Sequence, residues 1–256
     1  MGEGKSQKTI TKPTLLYEDD DVLVVDKPAG VLVHADGRES DGLTLVDWFL
    51  ARCPEARGVG EETRSQDGAV LERSGIVHRL DRDTSGVVIL AKRATAYDHL
   101  KAQFHDRLAK KEYQAFVYGE IKHKQMVIDR PIGRSARDFR LRSAERGARG
   151  RLRDAVTEVT LLDSGVVEGE KFSYLSLRPI TGRTHQLRVH LKAIDRPIVG
   201  DQLYAGKRLE QSYNLAFTRL ALHAHQLTII LQNGEQKTFT APLPTAFEVA
   251  AKRIAK

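Results

Sequence analysis

A chain of 256 residues with 41% apolar and 29% charged side chains is long enough to bury a full core, as one large domain or two small ones. It has no apolar run approaching the roughly 20 residues that span a bilayer, and its single Cys53 excludes an internal disulfide framework and a multi-cysteine metal site. The net charge of +7 is concentrated: from Arg130 to Arg153, nine Arg stand against Asp138 and Glu145, a surplus equal to that of the whole chain.

In chain order, alternation and apolar runs predict strands near 21–26 and 31–34. A helix is expected over Leu45–Arg52, with Thr44 as N-cap. Residues 53–74 are polar and Gly-rich and read as a mobile loop. Tyr97, Leu100, Phe104 and Leu108 recur three and four apart, which predicts an amphipathic helix over Ala94–Lys110. Strands follow at 111–118, 155–162 and 172–179, with the Arg-rich stretch 130–153 between them as a loop or hairpin. Leu187, His190, Leu191 and Ile194 again have helical spacing, placing Arg183 just before or at the start of that helix. Strands over 220–231 and 236–240 turn at Asn233-Gly234, and a helix begins near Pro244. Strands and helices mixed with hairpins imply an α+β fold with a mixed, mainly antiparallel sheet.

The segment Val77 to Lys92 reads V-H-R-L-D-R-D-T-S-G-V-V-I-L-A-K. It sets Asp81 among polar residues, then a Gly-ended turn, then a short apolar strand, an order that can hold a carboxylate at a cleft mouth. Taken alone, an Asp beside Thr-Ser-Gly is more often a turn cap. His223 and His225, two apart, would share a strand face and could begin a metal site, but no third ligand lies nearby in sequence, so no metal is expected.

His-Arg-Leu-Asp-x-x-Thr-Ser-Gly before an apolar strand resembles the signature of the RluA family of pseudouridine synthases. The likeness extends to Lys27-Pro28-Ala29-Gly30, to Lys111-Glu112-Tyr113-Gln114-Ala115 and to Gly182-Arg183-Thr184-His185-Gln186-Leu187-Arg188-Val189-His190. These four motifs stand in family order and span most of residues 15–245. The resemblance implies the pseudouridine synthase catalytic fold, with helices flanking the sheet and an active site in a central cleft. It implies one catalytic domain over 15–256, preceded by a flexible segment 1–14.

It also implies chemistry. Uridine becomes pseudouridine when the bond from ribose C1′ to N1 breaks and one from C1′ to C5 forms. Cleavage at C1′ develops the oxocarbenium character that retaining glycosidases meet with a carboxylate. By the resemblance Asp81 is the nucleophile, Arg183 pairs with it, and Tyr113 stacks on the target base and helps move a proton. Arg79 fills the gap left by the extruded base. Leu187 is expected as apolar lining near the uracil, while Arg188 is assigned to the substrate side, by phosphate contact or by a salt bridge. His78 and Asp83 are given structural support rather than chemistry.

Arg140 and Arg142, within the Arg-rich stretch, are expected to meet RNA phosphates, since the planar guanidinium forms paired bonds to phosphate oxygens. The implied protein is a cytoplasmic, monomeric isomerase of structured tRNA or ribosomal RNA that needs no cofactor, metal or membrane. Many family members carry an N-terminal S4-type RNA-binding domain. None is expected in the residues before Leu15, leaving target choice to 53–74 and 130–153. The competing reading is a non-catalytic RNA-binding protein or RNA-folding chaperone on the same fold.

Overall fold

Val22–Lys27 and Ser85–Ala91 are almost wholly buried strands, and their runs Val22–Val25 and Val87–Ala91 are continuously apolar because both faces are covered. In a computed structural model, residues 12–35, 43–64, 68, 70–138, 141–211 and 213–255 are described. The strands in chain order are β1 (Thr14–Glu18), β2 (Val22–Lys27), β3 (Thr63–Arg64), β4 (Val70–Leu71), β5 (Ser85–Ala91), β6 (Lys110–Tyr118) and β7 (Gln125–Asp129). They continue with β8 (Ile132–Arg134), β9 (Arg142–Ser143), β10 (Arg149–Arg153), β11 (Val156–Val167), β12 (Glu170–Pro179), β13 (Leu222–Ile230) and β14 (Gln236–Thr240). The helices are α1 (Leu45–Arg52), α2 (Ala94–His105), α3 (Gln186–Ala193), the short α4 (Arg208–Gln211) and α5 (Thr245–Ile254).

Among the described residues a nine-stranded sheet runs β1-β2-β5-β13-β6-β12-β11-β7, with β14 paired to β13. Its pairings are antiparallel except at the centre, where β5 and β13 run parallel through His223 opposite Ser85 and Ala224 opposite Gly86. The α+β reading, with a mixed and mainly antiparallel sheet, holds. On one face of β2 and β5, Leu23, Val25, Val88 and Leu90 pack on Leu45, Val46, Phe49 and Leu50 of α1. On the other, Val22, Val24, Val87 and Ile89 pack on Ala96, Tyr97 and Leu100 of α2. The second half of the sheet joins Leu187 and Leu191 of α3 and Phe247, Ala250 and Ile254 of α5 in one core.

Helix α1 has the expected bounds, and its capping box is complete: Asp47 N–H donates to Thr44 Oγ1, and Thr44 N–H returns to the Asp47 carboxylate at 2.8 Å. Three expectations change. The strand at 31–34 does not form; that segment instead supplies carbonyls to α1, Leu45 N–H bonding Leu32 and Val46 N–H bonding Val33. Helix α2 ends at His105, because Arg107 turns left-handed (φ 63°) and the chain must enter β6 at Lys110. The Arg-rich stretch is a three-stranded sheet in the order β10-β8-β9. In the expected loop 53–74, Pro54–Ala56 forms a short 3-10 turn and β3 pairs with β4, while residues 65–67 and 69 lie outside the described residues. So does most of the expected flexible segment 1–14, which β1 enters at Thr14.

Candidate active site

The loop carrying Asp81 ends where β5 meets β13, at the middle of the sheet. Gly86 is required there: its φ is +121°, and a Cβ would lie 2.2 Å from the Ala224 carbonyl oxygen. The loop is clamped from the other side by the Lys27-Pro28-Ala29-Gly30 turn. Gly30 N–H and the Lys27 ammonium both donate to Arg82 O, at 2.9 and 3.1 Å, and Lys27 Nζ also bonds Pro28 O and Val31 O. Lys27 is fully buried, which pushes its pKa down to about 7 against the pull of Asp83 and Asp81.

Asp81 faces a cavity of about 680 Å³, in the size range of small-ligand sites. Its carboxylate is a quarter exposed, and Arg188 Nη1 lies 3.2 Å from Oδ2. Arg188, on the first turn of α3, binds a second carboxylate with both Nε and Nη2 at 2.8 Å, that of fully buried Asp201. Its guanidinium lies over the Tyr204 ring, 5.1 Å from the centroid. Burial opposes the Arg188 charge, but the bonds to Asp201 and Asp81 outweigh it and raise the guanidinium pKa.

The ion pair expected of Arg183 is therefore made by Arg188. Arg183 precedes α3 and is turned away by the loop: its backbone N–H bonds the Gln186 side chain, and its Nε donates to Asp154 O at 3.0 Å. Arg188 lies inside the helix and points back across the cavity. Arg183 still lines the cavity wall. The resemblance assigned the pair to Arg183, but the phase of α3 puts Arg188 there instead.

Tyr113 of β6 also lines the cavity; burial, and then the Asp81 charge, raise its pKa, so the phenol holds its proton at neutral pH. Leu187 both lines the cavity and belongs to the core, at 6% exposure. Its helix neighbour His190 turns away from the cavity, bonding Thr157 Oγ1 and Arg130 O at 2.9 and 3.0 Å. Arg79 is exposed at the rim and donates to Nε2 of buried His34 at 2.9 Å. His78 is stacked on Phe104, and its Nε2 accepts Ile89 N–H at the edge of β5.

Arg142 is half-buried in β9, with its backbone N–H bonded to Tyr204; Arg140 lies outside the described residues. His223 bonds Ser85 Oγ at 2.8 Å and His225 bonds Ala241 O at 3.0 Å. Among the described residues no group of three or more His, Cys, Asp or Glu is placed to hold a metal.

Sequence reasoning missed Asp201, Tyr204 and His185. Asp201 carried a readable signal: it is a lone carboxylate at the end of a short apolar run, Ile198-Val199-Gly200. The assembled cavity has Arg79, Arg107, Lys111, Arg183 and Arg188 around it, and Asp81 is the only carboxylate among the described residues lining it. A cationic wall suits a phosphodiester. The paired carboxylates of glycoside hydrolysis are not assembled in this lining.

Residues 21–193 match the family model described as RNA pseudouridylate synthase. The chain is 38% identical over 238 residues to an uncharacterized RNA pseudouridine synthase of Synechocystis sp., covering 91% of the chain and 66% of that protein. It is 39% identical over 239 residues to ribosomal large subunit pseudouridine synthase D of Xanthomonas campestris, covering 90% and 66%. The chain thus spans about two thirds of the length of these curated relatives. Human RNA pseudouridylate synthase domain containing 1 superimposes with a TM-score of 0.73 at 27% identity, covering 97% of this chain and 90% of that one. Motif order, sheet topology and these likenesses agree, and the chain belongs to the RNA pseudouridine synthase family of isomerases.

Proposed function

We propose that this chain isomerises uridines in structured tRNA or ribosomal RNA to pseudouridine, with Asp81 as nucleophile and no cofactor. The observation that carries the reading is Asp81 itself, a lone carboxylate in a cationic cavity, held by a buried arginine. A binding-only RNA protein has no use for an anion where phosphates approach.

A uridine in folded RNA must leave its stack to reach a carboxylate set in a cavity, at a cost of a few kcal/mol. Tyr113, protonated and in the cavity, offers a ring to the flipped base, and Arg79 at the rim is placed to occupy the gap left behind. Asp81 bonds C1′ as the bond to N1 breaks, the uracil turns, C5 displaces the carboxylate from C1′, and the C5 hydrogen leaves as a proton while N1 takes one up. Arg188 holds the Asp81 carboxylate aimed into the cavity. Arg183 and the Arg-rich sheet, with Arg140 and Arg142, meet the RNA backbone, and Leu187 lines the base pocket. The unit that performs this is residues 15–256, acting as a cytoplasmic monomer. The names of ribosomal large subunit synthases among the relatives support placing ribosomal RNA beside tRNA among the first substrates.

The test is tritium release from total RNA labelled at uridine C5, since forming the C1′–C5 bond must expel that hydrogen. Wild type should release tritium. Asp81→Asn should release none while binding RNA normally. Binding without release by the wild type would favour the non-catalytic reading, and near-normal release by Asp81→Asn would exclude Asp81 as nucleophile.

A further inference from the structure

Tyr204 touches two things that must work together. Its ring is buried at 3% exposure among Ile132, Ala144, Ala155 and Val189, the core beneath the Arg-rich sheet. Its hydroxyl accepts the Arg142 backbone N–H of β9 at 3.2 Å and lies 2.8 Å from His185 Nδ1. His185 in turn presents Nε2 to Asp81, 3.9 Å from Oδ1.

The hydroxyl has one proton to give. With Arg142 N–H already directed at its oxygen, that proton goes to His185 Nδ1, and the imidazole keeps its own proton on Nε2, the nitrogen facing Asp81. The opposite tautomer would leave the Tyr204 proton without an acceptor among the partners the hydroxyl has here. His185 is also held at φ 56°, a left-handed conformation uncommon outside Gly. Strain of this sort concentrates at functional sites. Burial lowers the His185 pKa; Asp81 and Asp201 pull it up, Arg188 and Arg142 pull it down, and the net direction is downward, which favours the neutral ring.

We propose that His185 is a further catalytic residue, a neutral Nε2–H donor aimed at the reacting side of the cavity, and that Tyr204 is the positioning residue that makes this donor depend on the seating of the Arg-rich sheet. The inference rests on the synthase reading. When C1′–N1 breaks, the bonding pair stays on the uracil and its charge spreads onto the carbonyl oxygens. A fixed N–H beside Asp81 stabilises that anion by hydrogen bonding alone, with no proton transferred to it. RNA held by the Arg-rich sheet would fix β9, hence Tyr204, hence the donor.

Nitrogen NMR of histidine-labelled wild type should show an unprotonated Nδ1 and a protonated Nε2 at His185, and Tyr204→Phe should mix the tautomers. In single-turnover tritium release, Tyr204→Phe should lose about ten- to a hundredfold, the range for one misplaced donor, while RNA affinity stays within about twofold. Its acid limb should move to higher pH, because the lost O–H no longer favours the neutral ring. His185→Asn, which tolerates left-handed backbone, should lose at least as much, and adding Tyr204→Phe to it should cost little more. A protonated Nδ1 in the wild type overturns the assignment, as does a Tyr204→Phe enzyme with unchanged rate and pH profile. A wild type that releases no tritium overturns the synthase reading and the catalytic role together, and the tautomer is still decided by NMR.

Discussion

In the proposed mechanism the side chain that carries the chemistry is Asp81, and the one that holds it is Arg188. Removing Arg188 would strand Asp201, which is fully buried, so Arg188→Ala should destabilise the fold by about 3–5 kcal/mol as well as abolish turnover. Arg183→Ala should leave thermal stability near wild type and weaken RNA binding, since its side chain makes an exposed bond to Asp154 O and lines the cavity wall. Equal loss of stability in both variants would contradict that division. His78 offers a pH test. Burial, and then Lys111, depress its pKa from 6.5 to about 3, and its Nε2 accepts Ile89 N–H. A depressed folded pKa contributes stability that is full above 6.5 and lost progressively as pH falls toward about 3. Denaturant unfolding between these limits should therefore show wild type losing more stability on acidification than His78→Gln, whose amide oxygen can accept the same N–H. Parallel losses would mean that the neutral ring contributes nothing.

Among the elements, the Arg-rich sheet is where function and stability separate. β10 is exposed along its whole length, so its arginines are free to meet phosphate without supporting the core. If about six arginines of the stretch neutralise phosphates, log affinity should fall against log salt with a slope near −4 on single-stranded RNA. Replacing Arg149, Arg151 and Arg153 by Ala should flatten that slope by about 2 and leave unfolding nearly unchanged. An unaltered slope would reduce β10 to a solvated charged surface. Elements bounded by local chemistry were legible in the sequence. Thr44 and Asp47 fix the start of α1, and Asn233-Gly234 fixes the last hairpin, because caps and tight turns are decided by residues a few positions apart. The failed strand at 31–34 has an apolar pattern too, but its carbonyls are taken up by α1, a competition that no window of sequence contains.

At the scale of the molecule, the site depends on the parallel join between β5 and β13. Only two residue pairs make that join, and Gly86 is one of the four residues in it. Gly86→Ala puts a methyl group into the backbone of Ala224 and asks Ala to adopt φ +121°, so the two halves must separate locally. We expect a fall of several °C in Tm, roughly that of a 1–3 kcal/mol loss, with a larger fractional loss of turnover because the Asp81 loop hangs from this strand. Full activity with a lowered Tm would show that the loop is held by Lys27 and Gly30 alone.

Motifs, caps and periodicity are properties of neighbouring residues, so the family, the α+β class, the candidate nucleophile and the bounds of α1 and β14 could be read without coordinates. The sequence also located the excess charge, since composition needs no coordinates. Which arginine holds Asp81, that Asp201 backs that arginine, and that Tyr204 links the Arg-rich sheet to His185 follow from the folded chain. Arg183 and Arg188 stand in one motif, and the choice between them was set by the left-handed turn at His185 and the phase of the helix that follows. Partners 107 residues apart, as Asp81 and Arg188 are, meet only when the sheet has brought β5 beside β13 and α3 across its end. Contacts at that separation follow from chain topology and packing, which local patterns do not encode.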